Sequence, residues 1–445
     1  MSDKNRFLSS RSARFLRLSG LTARVSTSYT GQRLKEFFLD ARSAAGSRTQ
    51  AHIRNAERIV KTLGELKGAA MKVGQAMSIH ADILPREFAE ILASLQRSAP
   101  PMPYEVVESQ IISEFGKPPE ALFARFDRDP HASASVGQVH RAALGDGTEV
   151  VVKIQYPGVD DNLDGDMKNL KTILSMGSIV GYRKRDLDGM FAEIRDRLVE
   201  ELDYDQERES VKIFRELFRN DPRVLIPRVF PPYCSRRVLT MEYLPGDPLE
   251  ALLSPPYTQE DRNHFGCLIF DLYAYQILHL GLLHADPHPG NYAFRKDGRL
   301  VLYDFGCLKR VSPETRANLR EVVLCGLNGQ YDRIDEVLLK LGARDPEKES
   351  PGSEFYRMYV EVFRKPFERG EAFDFGEASL HEMLLDLIPQ GVAKMLCFQP
   401  SPETIFINRV IGGHYGNLKR LRARACWLDI LEPYLTGTGK TPGIG

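Results

Sequence analysis

An α+β fold in successive parts is what this 445-residue sequence predicts: a strand-rich smaller unit, a helix-rich larger unit, and a helical extension ahead of both. Three observations carry that expectation. Apolar residues recur at three- and four-residue intervals through residues 51–100, until "SAPPMP" at 98–103 breaks the pattern. Runs rich in β-branched residues around short glycine turns then occupy much of 101–245, and beyond 258 helical patterns dominate. The expected boundaries are a basic N-terminal segment over 1–50, a helical extension over 51–100, a smaller unit with inserted helices over 101–245 and a helical unit over 246–445.

Residues 1–50 hold ten Lys/Arg against three acids and are rich in Arg and Ser. A solvated tail is the default reading of such a segment; an organelle transit segment and an arm that touches anionic lipid are the alternatives. "AERIVKTLGELKGAAMKVGQAMS" and "LPREFAEILASLQ" supply the helices of the extension. "YEVVESQIISEFG" at 104–116 is a short amphipathic helix closed by a glycine. The stretch "ASASVGQVHRAALGDGTEVVVKIQYPG" (132–158) reads as strand, Gly-Asp-Gly turn and strand. Residues 160–220 read as helical, with one long periodic run ending near Phe214. "IPRVFPPYCSRRVLTMEYLPG" (226–246) then predicts two strands around a loop. Among the later helices, "YAFRKDGRLVLYDFG" (292–306) predicts another strand, turn and strand.

The bulk composition narrows the function. Hydrophobic residues make up 42% and charged residues 27%, which is ordinary globular composition. A net charge of zero provides no global field for nucleic acid, so no nucleic-acid partner is expected. The six cysteines are scattered singly, which argues against a disulfide framework or a structural zinc site and for a reducing compartment. No window offers ~18 uninterrupted apolar residues, so no transmembrane span is expected, nor is a secretory leader. The expected localisation is cytoplasmic, with peripheral membrane attachment and an organelle matrix as alternatives.

The chemistry is concentrated in "LHADPHPGN" (283–291) and "LVLYDFG" (300–306). Asp286 followed five residues later by Asn291 has the spacing of a phosphoryl-transfer loop, in which the Asp orients or deprotonates the acceptor and the Asn holds a metal. Asp304 follows a short hairpin that brings the chain back, so that two oxygen donors, Asn291 and Asp304, suit Mg²⁺. A lone Asp-Phe-Gly is a weak match; joined to D-x-x-x-x-N at this distance it is strong. A zinc site from His284, Asp286 and His288 is the competing reading, opposed by Pro287 and Pro289, which disfavour a regular strand, and by the lack of a second histidine cluster. His284 reads better as a packed side chain bracing the loop backbone.

Upstream, Lys153 lies in the β-branched run "EVVVKIQ", where a lysine contacts the α- and β-phosphates of ATP and pairs with a helical Glu in a kinase-like small lobe. The candidates Glu193, Glu200, Glu201, Asp203, Asp205, Glu207 and Glu209 cannot be separated by periodicity. No G-x-G-x-x-G precedes Lys153; Ala132, Ser133, Ala134 and Ser135 occupy that place, and Ala and Ser are less free than Gly at positive φ. The A-P-E segment is absent and Ala285 stands where the Arg of H-R-D would read a phosphorylated loop. A conventional protein kinase is therefore not expected.

Taken together, "KVGQ" (Lys72–Gln75), "ASASVGQVH", "VVKIQYPG", "ELDYDQE", "HADPHPGN" and "DFG" make the chain resemble the atypical kinase-like UbiB family, associated with ubiquinone biosynthesis, over about residues 55–310. The resemblance implies a two-lobed protein-kinase-like fold with the helical extension over the active site. It implies that Lys72 and Gln75 occlude the peptide position and that Lys72 pairs with the acids Glu201 and Asp203. It also makes Glu207 the partner of Lys153, Asp286 the catalytic-loop acid, Asn291 and Asp304 the metal ligands, and Met241, Glu242 and Tyr243 the adenine hinge. The implied ligands are ATP or ADP with Mg²⁺, and a lipid or quinone precursor. The implied activity is ATP hydrolysis or phosphotransfer to a small molecule or lipid; a nucleotide-regulated binding or chaperone-like module for lipophilic precursors is the alternative. Relatives with C-terminal membrane helices differ from this chain, whose tail is short and turn-rich.

Overall fold

The computed structural model describes residues 102–134, 136–157, 198–377, 380–399 and 401–437, with short pieces at 163–165, 167–168, 171, 191–192 and 195–196. The expected segments 1–50 and 51–100 lie outside these residues. Two compact units emerge: the chain up to Arg208 together with Val229–Tyr243, and Glu209–Arg228 together with Leu244 onward. The chain thus passes between the units at three points.

In the first unit, helix α1 (Tyr104–Phe115) buries Val107 and Ile111 and stops where Gly116 takes the left-handed conformation, φ +69°. Its entry is tied down by Gln138, which accepts from Met102 N at 2.8 Å and donates back to Met102 O at 3.3 Å. The sheet places β1 (Arg125–Phe126), β3 (Gly137–Ala143), β4 (Glu149–Gln155) and β5 (Val238–Glu242) side by side, with β2 (Ala132–Ala134) on β3. All the pairings are antiparallel. The Gly-Asp-Gly turn forms as the sequence predicts: Gly147 adopts φ +83°, and Leu144 N donates to Thr148 O at 2.9 Å. Along β4, Val150, Val152 and Ile154 are fully buried on one face, which turns Val151 and Lys153 to the other.

Two expectations for the middle of the chain are corrected. The long periodic run does not form one helix, because it is interrupted at Leu202–Asp203 before α2 (Tyr204–Leu217) begins. Asp203 Oδ1 accepts from Gln206 N at 2.9 Å, so a helix start falls inside the apolar pattern. The spacing Asp203-x-x-Gln206 carries that start in the sequence. Of the two strands expected over 226–246, only β5 forms. Val229 contributes a single bridge to Met241, and Pro231–Tyr233 makes a 3₁₀ turn, since consecutive prolines supply no ladder donors.

The second unit is mainly helical. Helix α3 (Gln259–Tyr275) starts with a reciprocal cap between Thr258 and Asp261 and runs into a π-helical turn at Gln276–Leu280, closed by Gly281 at φ +70°. The chain then forms β6 (Leu282–His284), which pairs with β9 (Leu308–Arg310), and between them the hairpin β7 (Tyr292–Phe294) and β8 (Leu300–Leu302) around Gly298, φ +84°. Val224–Leu225 adds a parallel pairing to β8. Six helices follow: α4 (Pro313–Leu327), α5 (Tyr331–Lys340), α6 (Ser353–Arg364), α7 (Leu380–Met395), α8 (Pro402–Leu421) and α9 (Trp427–Thr436). Trp427, Phe265 and Phe294 are among the fully buried large residues of this core. Among the described residues no helix is long and apolar enough to cross a membrane.

Candidate active site

In the first unit the site is built around Lys153. Its Nζ donates to both carboxylate oxygens of Glu207 at 2.9 Å. Lys153 is 8% exposed and Glu207 1%, so each charge has lost most of its water and depends on the other. The buried ring of Tyr204 lies 5.1 Å from the ammonium. Helix phase selects Glu207 among the acids. With Asp203 capping the helix, Tyr204 and Glu207 fall three residues apart on the buried face, whereas Asp205 turns outward and pairs with Arg208 at 2.9 Å. Glu200 and Glu201 are half-buried in the turn before the cap, and Glu209 bonds Lys212 at 2.8 Å.

The remaining predicted residues of this unit take the following places. Ala132–Ala134 form a hairpin arm on β3, with Ala132 opposite Val139 and Ala134 opposite Gly137. Ser135, Lys72 and Gln75 lie outside the described residues, as does Glu193, and so nothing bears on the pairing expected between Lys72 and the acids Glu201 and Asp203. Asp203 itself is exposed and caps α2. Gly137 is a residue whose role sequence reasoning missed: a Cβ there would stand 2.1 Å from Ile154 O, so only glycine lets β3 approach β4 this closely. At the other edge Met241 is buried opposite Val151, and Glu242 and Tyr243 are half-buried. Tyr243 N donates to Glu149 O at 3.0 Å, and the Arg141 guanidinium stacks 4.1 Å from the Tyr243 ring centre.

In the second unit Asp286, Asn291 and Asp304 are brought to one place by β6, the hairpin and β9. Ala285 N donates to Cys307 O at 2.8 Å and Tyr303 N to Asn291 O at 3.0 Å, so the residue before Asp286 is tied to the strand after Asp304, and Asn291 is tied to the residue before it. The Asn291 side-chain NH₂ donates to Asp286 O at 3.3 Å, which makes Oδ1 the atom of this side chain that could hold a cation. Asp286 Oδ1 accepts from His288 N at 3.2 Å and Asp304 Oδ1 from Gly306 N at 3.0 Å. All three side chains are partly exposed, as ligand-contacting groups must be. An amide oxygen beside carboxylates is a hard-oxygen donor set and fits Mg²⁺.

His284 is buried and engaged at both ring nitrogens, Nε2 with Asp304 O and Nδ1 with Tyr273 OH at 3.2 Å. It braces the loop, as its sequence context suggests, and keeps no nitrogen for a metal. His288 Nδ1 accepts from Gly290 N at 3.1 Å. Among the described residues no three His, Cys, Asp or Glu side chains gather as a metal-ligating group, which counts against the zinc reading. Tyr273 OH also bonds Tyr292 OH, and Tyr292 OH lies 3.5 Å from His414 Nε2. Burial raises the pKa of both tyrosines, and burial, followed by the neighbouring His284, lowers that of His414 to about 3. His414 is therefore neutral.

Helix α8 completes this half, and sequence reasoning did not find it. Arg409 Nη2 donates to Ala285 O, Asn417 Nδ2 donates to Pro287 O at 2.9 Å, and a Cβ on Gly413 would stand 2.3 Å from Pro287 Cγ. The signal was present as Arg409, Gly413 and Asn417 at intervals of four, one face of a helix that is polar and small rather than apolar.

A strand lysine paired with a helical glutamate, together with an Asp-Asn loop and an Asp-Phe-Gly on a following hairpin, defines a protein-kinase-like fold. Residues 94–338 match the family model of the ABC1 atypical kinase-like domain, and the chain belongs to that family, the UbiB group of atypical kinase-like proteins. It is 37% identical over 282 residues to the chloroplastic Protein ACTIVITY OF BC1 COMPLEX KINASE 8 of Arabidopsis thaliana, an alignment covering 62% of this chain and 37% of that one. It is 30% identical over 386 residues to the mitochondrial atypical kinase COQ8B of Rattus norvegicus, covering 85% and 71%. Among solved structures, the complex of Rv3197 with erythromycin from Mycobacterium tuberculosis matches with a TM-score of 0.60 at 29% identity, covering 83% of this chain and 93% of that chain. The chain spans 37% to 59% of the lengths of the first three curated relatives it matches.

Proposed function

We propose that this protein is a Mg²⁺-dependent ATP-binding enzyme that hydrolyses ATP or passes its γ-phosphoryl group to a small-molecule or lipid acceptor, in support of prenyl-quinone or lipid metabolism. The observation that carries the reading is the placement of Asp286, Asn291 and Asp304 on backbone segments hydrogen-bonded to one another, within one compact unit. In this reading Asn291 Oδ1 and the Asp304 carboxylate hold Mg²⁺, which neutralises phosphate charge, and Asp286 orients the acceptor or water. Lys153, held extended by Glu207, binds the α- and β-phosphates. Ala132–Ser135 cover them, and Met241–Tyr243 receive the adenine. Membership of a family with COQ8 relatives supports the link to quinones. The missing A-P-E segment and Arg of H-R-D support a non-protein acceptor, and the basic N-terminus supports contact with an anionic membrane surface.

The test is ATP turnover by the purified protein with Mg²⁺, with and without anionic vesicles or a phenolic quinone-like compound. Asp286→Asn and Asp304→Asn are each expected to lower turnover by at least ~10³-fold while the protein stays folded. Undiminished turnover in both would refute the assignment. Nucleotide binding without turnover under every condition would instead identify a nucleotide-regulated binding module for lipophilic precursors.

A further inference from the structure

Asp286 is the residue on which the proposed reaction turns, yet its own side chain makes only a local bond, to His288 N. Besides the Asn291 amide on its carbonyl and the Ala285–Cys307 backbone bond, its backbone is held by side chains from more than a hundred residues away. Arg409 donates to the carbonyl of Ala285 and Asn417 to the carbonyl of Pro287, so the two peptide oxygens flanking Asp286 are both held by side chains of α8. These residues are eight apart, two turns along one helix face, and Gly413 midway between them lets the helix approach the Pro287 ring.

The same helix reaches Asp304 by a second route. A carbonyl can only accept, so His284 Nε2 donates to Asp304 O, and in the neutral ring Nδ1 is then an acceptor. Tyr273 OH must then donate to His284, Tyr292 OH to Tyr273, and His414 Nε2 to Tyr292. His414 Nδ1 is left to accept from Asn417 Nδ2, 3.5 Å away, while the second proton of that NH₂ goes to Pro287 O. Every donor meets an acceptor in one direction only. The chain begins at Asn417 and ends at the backbone of Asp304, with Tyr273, Tyr292, His284 and His414 all buried.

We propose that Arg409 and Asn417 are positioning residues for phosphoryl transfer: they clamp the peptide on either side of Asp286 and, through Asn417, hold it in register with Asp304. This rests on the reading of Asp286 and Asp304 as the reacting and metal-holding acids. Arg409 supplies a charge-assisted bond to a buried carbonyl, and Asn417 alone joins both arms. Neither touches the nucleotide in this account, so their loss misplaces Asp286 without removing a ligand-binding group.

The experiment compares wild-type protein with Arg409→Ala, Arg409→Lys and Asn417→Ala, measuring steady-state ATP turnover and amide hydrogen exchange across residues 285–291. Both alanine variants are expected to lose roughly 10- to 100-fold in kcat with KM for ATP changed by less than about twofold, since misplacement of about 1 Å costs that much. Exchange at Asp286, His288, Gly290 and Asn291 should quicken while α3 stays protected. Arg409→Lys, which keeps a cationic donor, should recover part of kcat and should stay folded even if the alanine variant does not. Unchanged exchange in 285–291, or full kcat despite faster exchange, overturns the proposal; so does a fall confined to KM. A wild-type protein that binds ATP but never turns it over removes the proposed reaction. In that case faster exchange confined to the loop keeps the clamp and unchanged exchange removes it.

Discussion

The two compact units hold their candidate functional residues by opposite means. In the first unit a full positive charge is buried against a full negative one, Lys153 on Glu207 at 2.9 Å, with a tyrosine ring beside them. In the second unit the candidate acids stay partly exposed, and the groups that brace them from behind include the hydroxyls of Tyr273 and Tyr292, the neutral His414 and the amide of Asn417. Burying a charge and holding a loop backbone call for different partners. A lysine keeps its charge in a dry place only where an opposite charge makes that tolerable. A loop backbone is held in a fixed geometry by directional hydrogen bonds, which need no opposite charge.

Removing one charge from the first half should have the largest effect on stability. Glu207→Ala leaves Lys153 buried without its carboxylate and is expected to cost about 3–5 kcal/mol, read as a drop in the urea midpoint. A loss near zero would mean that water reaches Lys153 freely, and the contrast between a dry charged half and a neutral one would fail. Gly137→Ala comes next. The added methyl meets the carbonyl of Ile154, in the strand that carries Lys153, and should cost about 1–3 kcal/mol with a matching loss of nucleotide affinity. If affinity survives that loss of stability, the approach of β3 to β4 serves folding alone.

The smallest effect concerns the neutral half and appears as a pH dependence. Burial together with His284 lowers His414 from 6.5 to about 3, so the unfolded chain takes up a proton below pH 6.5 that the folded protein refuses. The stability contributed by the neutral network is therefore complete above about pH 6.5 and is lost as pH falls toward 3, with a slope of at most ~1.4 kcal/mol per pH unit. His414→Gln, which cannot ionise, should show a flatter profile between pH 7 and 5 than the wild type, measured by urea unfolding. Parallel profiles would mean that His414 is not held neutral by its surroundings, and the directional assignment of the network would lose its support.

Legibility in the sequence followed how local each feature is. The turns at Gly147 and Gly298 could be read because left-handed backbone is a local demand that glycine meets. The break at Asp203 was missed although Asp-x-x-Gln stood in the sequence, since apolar periodicity ran straight through it. Periodicity left seven acids as candidates for Lys153. The family resemblance pointed to Glu207, and the geometry puts that carboxylate on the ammonium because the cap sets the phase of α2. The role of α8 was not readable from the catalytic motifs at all, for its contacts with them span 124 and 130 residues.

The sequence by itself determined the order of strand-rich and helix-rich segments, the turn positions and the chemical identity of the candidate acids, because these depend on side-chain type and on spacings of a few residues. Tertiary structure alone decided why Gly137 admits no side chain and which helix holds the carbonyls beside Asp286, and it put on Lys153 the Glu207 carboxylate that periodicity could not single out. Those outcomes depend on distances between segments far apart in the chain, and no local propensity encodes them until the core has packed.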